Sequence, residues 1–333
     1  MVLLPVSESL LSRVLSGYPL PNARVVGVHE ASTRNDNLMV EDDNGQKYIL
    51  RRYRRNNQEA RVRFQLNFQQ HLVSSGFPTA EIIRTVSDDV LVLEENTPWA
   101  LFTFVEGTEY DFSRVEQAIE AARCLAQFHT ITDSFQDEEV VLDISRMPDW
   151  WTSAGKEIHA LEEFFAGMGV EDELTCVREY ATTLVREWPV ERNSTLRSAW
   201  VHGDYHGRNM VFIGDEMRGL FDFDVIRRGF RIEDIPLALF MFGRKYRGSR
   251  TIRPEVARAF IGEYRRNAEL VPDELEALPV LAVLERVPVA PYYEMIRRDG
   301  EDPVPFLRDH VEAMRTMRSE MKRIGSIFRE QSV

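Results

Sequence analysis

The feature that most constrains this sequence is a polar loop between two short apolar runs. One apolar run ends at Val201, and residues 210–212 resume the extended pattern after the loop. Asp204 and Asn209 lie in the loop, and Asp222 follows at the end of a further apolar run. The pattern predicts short strands joined by loops, which can place these three side chains around one small volume.

Side chains of these types match the requirements of phosphoryl transfer. One carboxylate must orient the attacking hydroxyl group and accept its proton, and Mg²⁺ must be held against the phosphates. Mg²⁺ takes oxygen ligands, which an amide and a second carboxylate can provide. Asp is common in turns, so Asp204 supports this interpretation only together with Asn209 and Asp222.

The histidines of the same loop allow a second interpretation. His202, Asp204 and His206 alternate along the chain, as the ligands of a metal hydrolase could. A hydrolase leaves Asn209 and the segment around Asp222 unexplained, so we rank it behind phosphoryl transfer. We expect His202 to fix the loop, whereas His206 fits a structural role and a position near the substrate equally well.

Residues before about 105 predict a small antiparallel sheet with one important helix. Apolar and β-branched runs separated by turn residues predict the strands, and apolar residues at helical spacing predict the helices. The expected strands are Arg24–Val28, Leu38–Glu41, Lys47–Tyr53, Val90–Glu94 and Trp99–Val105, with helices over residues 7–16 and 58–73.

The rest of the chain is mainly helical. A capping box at Ser113–Glu116 opens a helix that reaches about His129. Residues 133–200 are helical and rich in loops, and the helical pattern returns after Asp234. We predict a last helix over about residues 305–329 with an apolar stripe that faces inward. The stripe consists of Leu307, Val311, Met314, Met317, Met321 and Ile324.

Composition limits the partners and the location. The chain has 333 residues, with 41 Lys and Arg against 54 Asp and Glu, which gives a formal net charge of −13. An acidic surface repels nucleic acid and anionic lipid and attracts a cationic acceptor, although such charge can also serve solubility alone. Few cysteines, no signal sequence and no apolar run of about 18 residues predict a cytoplasmic protein without membrane contact.

Two segments carry a resemblance to a known group of enzymes. His202-Gly203-Asp204-x-His206-x-x-Asn209 and Phe221-Asp222-Phe223-Asp224 resemble the catalytic and metal loops of the aminoglycoside phosphotransferase and choline kinase superfamily. The sequence looks closest to its homoserine kinase type II branch. The resemblance implies an α+β, protein-kinase-like fold with two lobes. The N-lobe, residues 1–104, would contain a small antiparallel sheet and one key helix, and the C-lobe, residues 105–333, would be larger and mainly helical.

The resemblance also implies catalytic roles. Asp204 would be the catalytic base, and Asn209 and Asp222 would hold Mg²⁺. Asp224 would be a supporting carboxylate, because the first Asp of this pair takes the metal in the family. Asp234 matches a family Asp that helps to fix the catalytic loop.

For ATP, the resemblance implies a binding site in the first lobe. Arg51 falls where the family usually has a Lys for the α- and β-phosphates, and Asn35 lies in the nucleotide hairpin. Ser32 and Thr33 would serve the phosphates, because this hairpin contains no Gly. Adenine would bind to the backbone of Thr103, Phe104 and Val105.

Arg51 and Gln65 depart together from the family pattern. Gln65 stands where a helix Glu normally pairs with the Lys, and as a neutral side chain it can hold Arg51 only by a hydrogen bond. Arg is always charged and can bind phosphate with two hydrogen bonds, but it is bulkier than Lys. The joint change indicates an altered nucleotide clamp in an active enzyme.

Together these features predict an ATP- and Mg²⁺-dependent kinase that phosphorylates a hydroxyl group of a small molecule. The acceptor would be an amino alcohol, an amino acid, a sugar or an aminoglycoside-like compound, bound in the C-lobe. A Ser/Thr protein kinase of the same fold and a nucleotide-binding pseudokinase are the alternatives. We expect a monomer or a homodimer with no nucleic-acid partner.

Overall fold

Two units make up the chain in a computed structural model, which describes residues 6–31, 35–54, 57–136, 147–284 and 287–330. The unit that we call the sheet unit comprises Met1–Glu109, Ile131–Leu142 and Asn209–Asp224. The unit that we call the helical unit comprises Tyr110–Thr130, Asp143–Arg208 and Val225–Val333.

Six strands form one antiparallel sheet in the described part of the sheet unit. They are β1 (Arg24–Ala31), β2 (Asn35–Glu41), β3 (Lys47–Tyr53), β4 (Ile82–Ile83), β5 (Val92–Glu94) and β6 (Thr97–Thr103). Neighbours follow the order β1-β2-β3-β6-β4, and β5 also pairs with β6. Leu38 on β2 lies opposite Leu50 on β3, and both are buried because paired residues of neighbouring strands point to the same face.

Two helices add apolar residues to the core of this unit. They are α1 (Glu8–Ser16) and α2 (Glu59–Ser74). Val62 and Leu66 of α2 pack with Phe102 of β6, whereas Phe68 packs edge-on against Phe135. Because α2 is buried on two sides, the position of its polar residues is fixed tightly.

A separate hairpin of the sheet unit carries two of the predicted site residues at its open end. It consists of β8 (Met210–Ile213) and β9 (Glu216–Leu220). Met210 pairs with Leu220, and Phe212 forms a bridge to Thr108.

Helices dominate the helical unit. They are α3 (Val115–Thr132, whose last two residues belong to the sheet unit), α4 (Met147–Phe164), α5 (Glu171–Glu187), α6 (Asp234–Gly243), α7 (Pro254–Asn267), α8 (Pro272–Leu284), α9 (Ala290–Arg298) and α10 (Pro303–Glu330). Its two described strands, β7 (Ser198–Val201) and β10 (Arg227–Phe230), pair antiparallel, with Val201 opposite Arg227.

The apolar stripe of α10 confirms the predicted inward face. All six of its residues named above are at most 2% exposed. They pack where α10 contacts α5, α7, α8 and α9. Among the residues that the structure describes, no helix combines the length and the apolar character needed to cross a membrane.

Candidate active site

The β8–β9 hairpin brings Asn209 beside the loop of Asp222. Met210 and Leu220 form the last pair of the hairpin, so Asn209 and Phe221 leave it at the same level. The carbonyl oxygen of Asn209 accepts a hydrogen bond from the Phe221 N–H at 2.8 Å. The two predicted metal ligands are thus neighbours through local strand pairing.

Asp222 adopts an unusual backbone conformation. Its φ angle is +65°, in the left-handed region that non-glycine residues rarely occupy. Such a conformation costs about 1–3 kcal/mol and persists only where contacts with the surrounding structure hold the backbone in it. The Asp222 side chain is 37% exposed, so its carboxylate remains accessible to a cation.

Arg51 on β3 reaches this loop with its guanidinium group. Nη2 lies 2.9 Å from Oδ1 of Asp224 and 3.5 Å from Oδ1 of Asp222. Burial lowers the pKa of Arg51, but the carboxylates of Asp224 and Asp222 outweigh that effect and raise the pKa above its ordinary value. Arg51 is therefore a permanent cation that neutralises part of the acidic pair.

Asp224 is the centre of a hydrogen-bond network in the sheet unit. Its Oδ2 accepts a bond from Nδ2 of Asn35 at 2.8 Å. Its backbone oxygen accepts bonds from Nε2 of Gln65 at 3.3 Å and from Nη2 of Arg61 at 2.7 Å. Gln65 forms no hydrogen bond with Arg51 among the described residues and donates to the backbone of Asp224 instead.

The sequence did not identify Arg61 as a site residue. Arg61 lies four positions before Gln65 on α2, and residues at this spacing share a helix face. The spacing from Gln65 was therefore the sequence feature that could have identified Arg61. Arg63, only two positions further, faces Asp89 and Glu59 instead.

The segment expected to receive adenine follows directly after β6. Thr103 donates its N–H to the oxygen of Glu81 at 2.9 Å, and Phe104 donates its N–H to the oxygen of Lys47 at 3.2 Å. Across the described ranges, the N–H of Val105 has no hydrogen-bond partner. The chain therefore offers one backbone donor here. Ser32 and Thr33, the other predicted nucleotide-binding residues, lie outside the described residues.

The Asp204 loop belongs to the helical unit and is held by its own backbone and histidines. The Asp204 N–H donates to Nδ1 of the buried His202 at 3.3 Å, and Nε2 of His206 lies 3.2 Å from Oδ1 of Asp204. Gly203 has a φ angle of +75°, and a Cβ there would lie 3.2 Å from the oxygen of Val225. The Asp204 side chain is 39% exposed, so a substrate hydroxyl can reach it.

Asp234, at the start of α6, lies beneath this loop. Its two oxygens accept bonds at 2.8 Å from the N–H groups of His202 and Gly203. Nε2 of His129 donates to the same carboxylate at 3.1 Å, and Nδ1 of His129 accepts from the Tyr264 hydroxyl at 2.8 Å. Burial raises the pKa of Asp234, but the hydrogen bond from His129, with smaller contributions from the loop, lowers it overall.

The far end of the loop is fixed by close packing. A Cβ on Gly207 would lie 2.4 Å from Cβ of Tyr110, so only glycine fits. The hydroxyl group of Tyr205 donates to the oxygen of Ala121 on α3 at 2.8 Å. Both ends of the segment around Asp204 are thus anchored, which limits the positions that its carboxylate can take.

The geometry does not favour the hydrolase interpretation. His202 is completely buried, and its Nδ1 accepts a backbone hydrogen bond, so this nitrogen is not available to a metal. Within the described ranges, no three His, Cys, Asp or Glu side chains come together as a metal site would require. An amide oxygen such as that of Asn209 falls outside this set of ligand types.

Comparison with known sequences points to phosphoryl transfer. The family model described as "Phosphotransferase enzyme family" matches residues 27–278. A homoserine kinase of Parvibaculum lavamentivorans is 29% identical over 249 residues, which cover 74% of this chain and 73% of that protein.

Solved structures share the fold at low sequence identity. A microcompartment-associated aminopropanol kinase has a TM-score of 0.71 at 16% identity, over 97% of this chain and 98% of that one. The amicoumacin kinase hAmiN, solved with AMP-PNP, Ca²⁺ and Ami, has a TM-score of 0.67 at 15% identity, over 92% of both chains. These likenesses confirm the predicted α+β, protein-kinase-like fold.

Proposed function

This chain belongs to the phosphotransferase enzyme family, and we propose that its acceptor is homoserine or a similar small amino alcohol. The family and the homoserine kinase relatives make the chain an ATP-dependent kinase of a small-molecule hydroxyl group, as its sequence predicted. Homoserine and aminopropanol, which name two of the relatives, both carry an amine and a hydroxyl group. The net charge of −13 also favours an acceptor with a cationic amine.

The observation that supports this function best is the β8–β9 hairpin, which sets Asn209 beside the Asp222 loop. An amide oxygen and a carboxylate there, with Asp204 five positions before Asn209, are the parts that phosphoryl transfer requires. The anchored loop around Asp204 adds pre-organisation, which is the main contribution of a protein to this reaction.

Asp204 is the proposed catalytic base. It would orient the acceptor hydroxyl group and take its proton as the γ-phosphate is transferred. His206, 3.2 Å away, can donate to the same carboxylate and thereby hold its orientation. Removal of a positioned base of this kind costs about 10²–10⁴ in rate.

Asn209 and Asp222 are the proposed Mg²⁺ ligands, with Asp224 as a supporting carboxylate. The residues fit the ion, because all three offer oxygen atoms and the Asp222 carboxylate is partly exposed. When bound, Mg²⁺ supplies positive charge that neutralises the phosphate oxygens. Asp222 and Asp224 carry the negative charge that attracts this ion.

For the nucleotide, we assign the phosphates to Arg51 and adenine to the segment of Thr103, Phe104 and Val105. The N–H of Val105 has no partner among the described residues and can donate a hydrogen bond to a ring nitrogen of adenine. Arg51 is a permanent cation close to both aspartates of the proposed metal site. Ser32, Thr33 and Asn35 complete the proposed set, with Asn35 acting through Asp224.

The test is ATP-dependent ADP release against a panel of homoserine, aminopropanol, choline, ethanolamine, an aminoglycoside and a sugar, with Mg²⁺ present. We expect turnover with homoserine or another small amino alcohol. Asp204→Asn should lower kcat by about 10²–10⁴ while the dissociation constant of ATP stays unchanged. Asp222→Asn should raise the Mg²⁺ concentration needed for half-maximal rate.

The matched control is Asp215→Asn, which changes an exposed aspartate at the turn end of the same hairpin. It should retain normal kcat and Mg²⁺ dependence. Turnover of only the sugar or the aminoglycoside would contradict the proposed acceptor. Full activity of Asp204→Asn would contradict the proposed base.

We place the reaction in the cytoplasm, which supplies ATP and keeps thiols reduced. Cys124 and Cys176 are both buried and form no disulfide with each other, as a protein of a reducing compartment allows. The choice between a monomer and a homodimer stays a prediction, which the mass measured in solution decides.

A further inference from the structure

The first turn of α2 carries an arginine that forms no ion pair with any residue that the structure describes. Arg61 donates Nη2 to the backbone oxygen of Asp224 at 2.7 Å. Its Nε is buried and makes no hydrogen bond to any residue that the structure describes. Among the described residues, the charged group that affects its pKa is the carboxylate of Asp224, which already pairs with Arg51.

Arg61 is exceptional among the arginines of the sheet unit. Each of the others in the described ranges has a carboxylate oxygen within 3.9 Å. These are Arg13, Arg24, Arg51, Arg52, Arg54, Arg63, Arg84 and Arg218. The contrast is clearest with Arg63 on the same helix, which pairs with both Glu59 and Asp89.

A half-buried cation without an ion pair is unfavourable in the absence of an anion. Burial lowers the pKa of Arg61, and the charge of Asp224 offsets this only in part. The neighbouring Gln65 is neutral, so that residue provides no compensating charge on this face of α2. A bound anion at this place would remove the imbalance.

We propose that Arg61 is a second phosphate-binding side chain, which acts with Arg51 on the polyphosphate of ATP. Arg51 contacts the carboxylate of Asp224 and Arg61 contacts its backbone oxygen, so both guanidinium groups lie at one residue. Guanidinium groups bind phosphate oxygens in a planar, two-bond geometry. The inference rests on the ATP-dependent activity of the proposed function and is independent of the acceptor.

The test compares the binding of ATP, ADP and adenosine to the full chain by calorimetry, with Mg²⁺ present and no acceptor. Arg61→Gln should weaken the binding of ATP about tenfold and that of ADP less, and it should leave the binding of adenosine unchanged. Only the phosphates would contact the guanidinium group. Arg61→Lys, which keeps the charge, should recover part of the ATP affinity. The melting temperature without nucleotide should stay the same or rise, because the variant removes a half-buried cation that forms no ion pair with a described residue.

Arg63→Gln is the matched control, two positions along the same helix. It breaks ion pairs with Glu59 and Asp89, so it should lower the melting temperature but leave the ratio of ATP to adenosine affinity unchanged. The inference is overturned if Arg61→Gln weakens the binding of adenosine as much as that of ATP. It is also overturned if Arg61→Gln, like Arg63→Gln, lowers the melting temperature and leaves the ratio of ATP to adenosine affinity unchanged. Either result would make Arg61 a structural tether of Asp224. An absent response to every acceptor, with this ATP pattern intact, would count against the proposed acceptor alone.

Discussion

A buried aspartate organises each unit, but the two differ in what holds them. Asp234 of the helical unit is 1% exposed and accepts hydrogen bonds from two backbone N–H groups and from His129. Asp224 of the sheet unit is 8% exposed, and its carboxylate is held by the side chains of Arg51 and Asn35. One carboxylate is therefore fixed mainly by the main chain and the other by side chains.

Because of this difference, the hydrogen bonds to Asp234 are permanent, whereas the side chains that hold Asp224 can exchange it for another anion. Backbone N–H groups cannot leave Asp234 unless the loop changes its path, and each would cost about 1–3 kcal/mol if left buried and unpaired. A guanidinium group on a flexible stem can leave a carboxylate for a phosphate, because it fits both. We expect Asp234 to fix the loop of Asp204. We expect Asp224 to hold Arg51 in place until the nucleotide binds.

Removal of each carboxylate should give the largest difference between the two units, measured as the loss in the free energy of unfolding. Asp234→Ala removes the acceptor of two backbone N–H groups and of Nε2 of His129, so the free energy of unfolding should fall by about 3 kcal/mol or more. Asp224→Ala should cost about half as much, because Arg51 keeps Asp222 as a partner. Urea unfolding at pH 7 measures both changes. Equal losses would mean that the two carboxylates do not differ as supports.

An exchange of Arg51 for Lys should affect the reaction more than the fold. Arg51→Lys keeps the charge near Asp224 but loses the planar, two-bond geometry toward phosphate. We expect kcat/KM for ATP to fall about tenfold, which corresponds to about 1.4 kcal/mol, with a smaller change in unfolding free energy. Steady-state kinetics at saturating acceptor measure the first quantity. A large loss of stability without a kinetic effect would make Arg51 a structural residue.

The local parts of the site were predictable from sequence. Asn209 and Asp222 flank a single short hairpin, so the alternation of apolar runs and turns was enough to bring them together. The helical stripe of α10 was equally local, because one helix period determines which residues share a face. The position of Asp234 under the Asp204 loop followed from the family resemblance, and the backbone bonds of Asp234 supply its physical basis.

The network around Asp224 was not predictable, because it depends on how α2 is rotated against the sheet. The spacing of four places Arg61 on the helix face of Gln65, but no local pattern tells which part of the sheet unit that face contacts. The same rotation turns Gln65 to the backbone of Asp224 and away from Arg51. Burial of α2 on both sides, by Leu66 and by Phe68, sets this rotation, and such packing involves residues far apart in sequence.

A substitution that does not touch Asp234 directly tests its role as a support of the Asp204 loop, with a smaller expected effect. Tyr264→Phe removes the hydroxyl group that donates to Nδ1 of His129, two steps away from the Asp204 loop. We expect a loss of about 1 kcal/mol in unfolding free energy and a severalfold lower kcat, because His129 is oriented less firmly toward Asp234. KM for ATP should stay unchanged. A raised KM for ATP at normal kcat would contradict a positioning role.

The smallest effect is the pH dependence that Asp234 contributes. Burial raises its pKa, but the hydrogen bonds from His129 and from the loop backbone outweigh this effect, so the pKa is lowered in the folded protein. The unfolded chain then binds the proton more tightly, with an ordinary Asp pKa of about 3.9. The resulting stabilisation is present in full above that value and is lost as the pH falls toward the folded pKa.

The carboxyl ¹³C shift of Asp234 should therefore titrate below about 3.9 in the folded protein. In urea unfolding between pH 5 and pH 3, Asp234→Asn should lose less stability than the wild type, because it lacks the group that takes up the proton. The other carboxylates cancel in this difference, since both proteins contain them. A titration at or above the ordinary value would show that burial dominates at Asp234. The carboxylate would then be a weak support, and the contrast with Asp224 would have to rest on something other than the backbone donors of the loop.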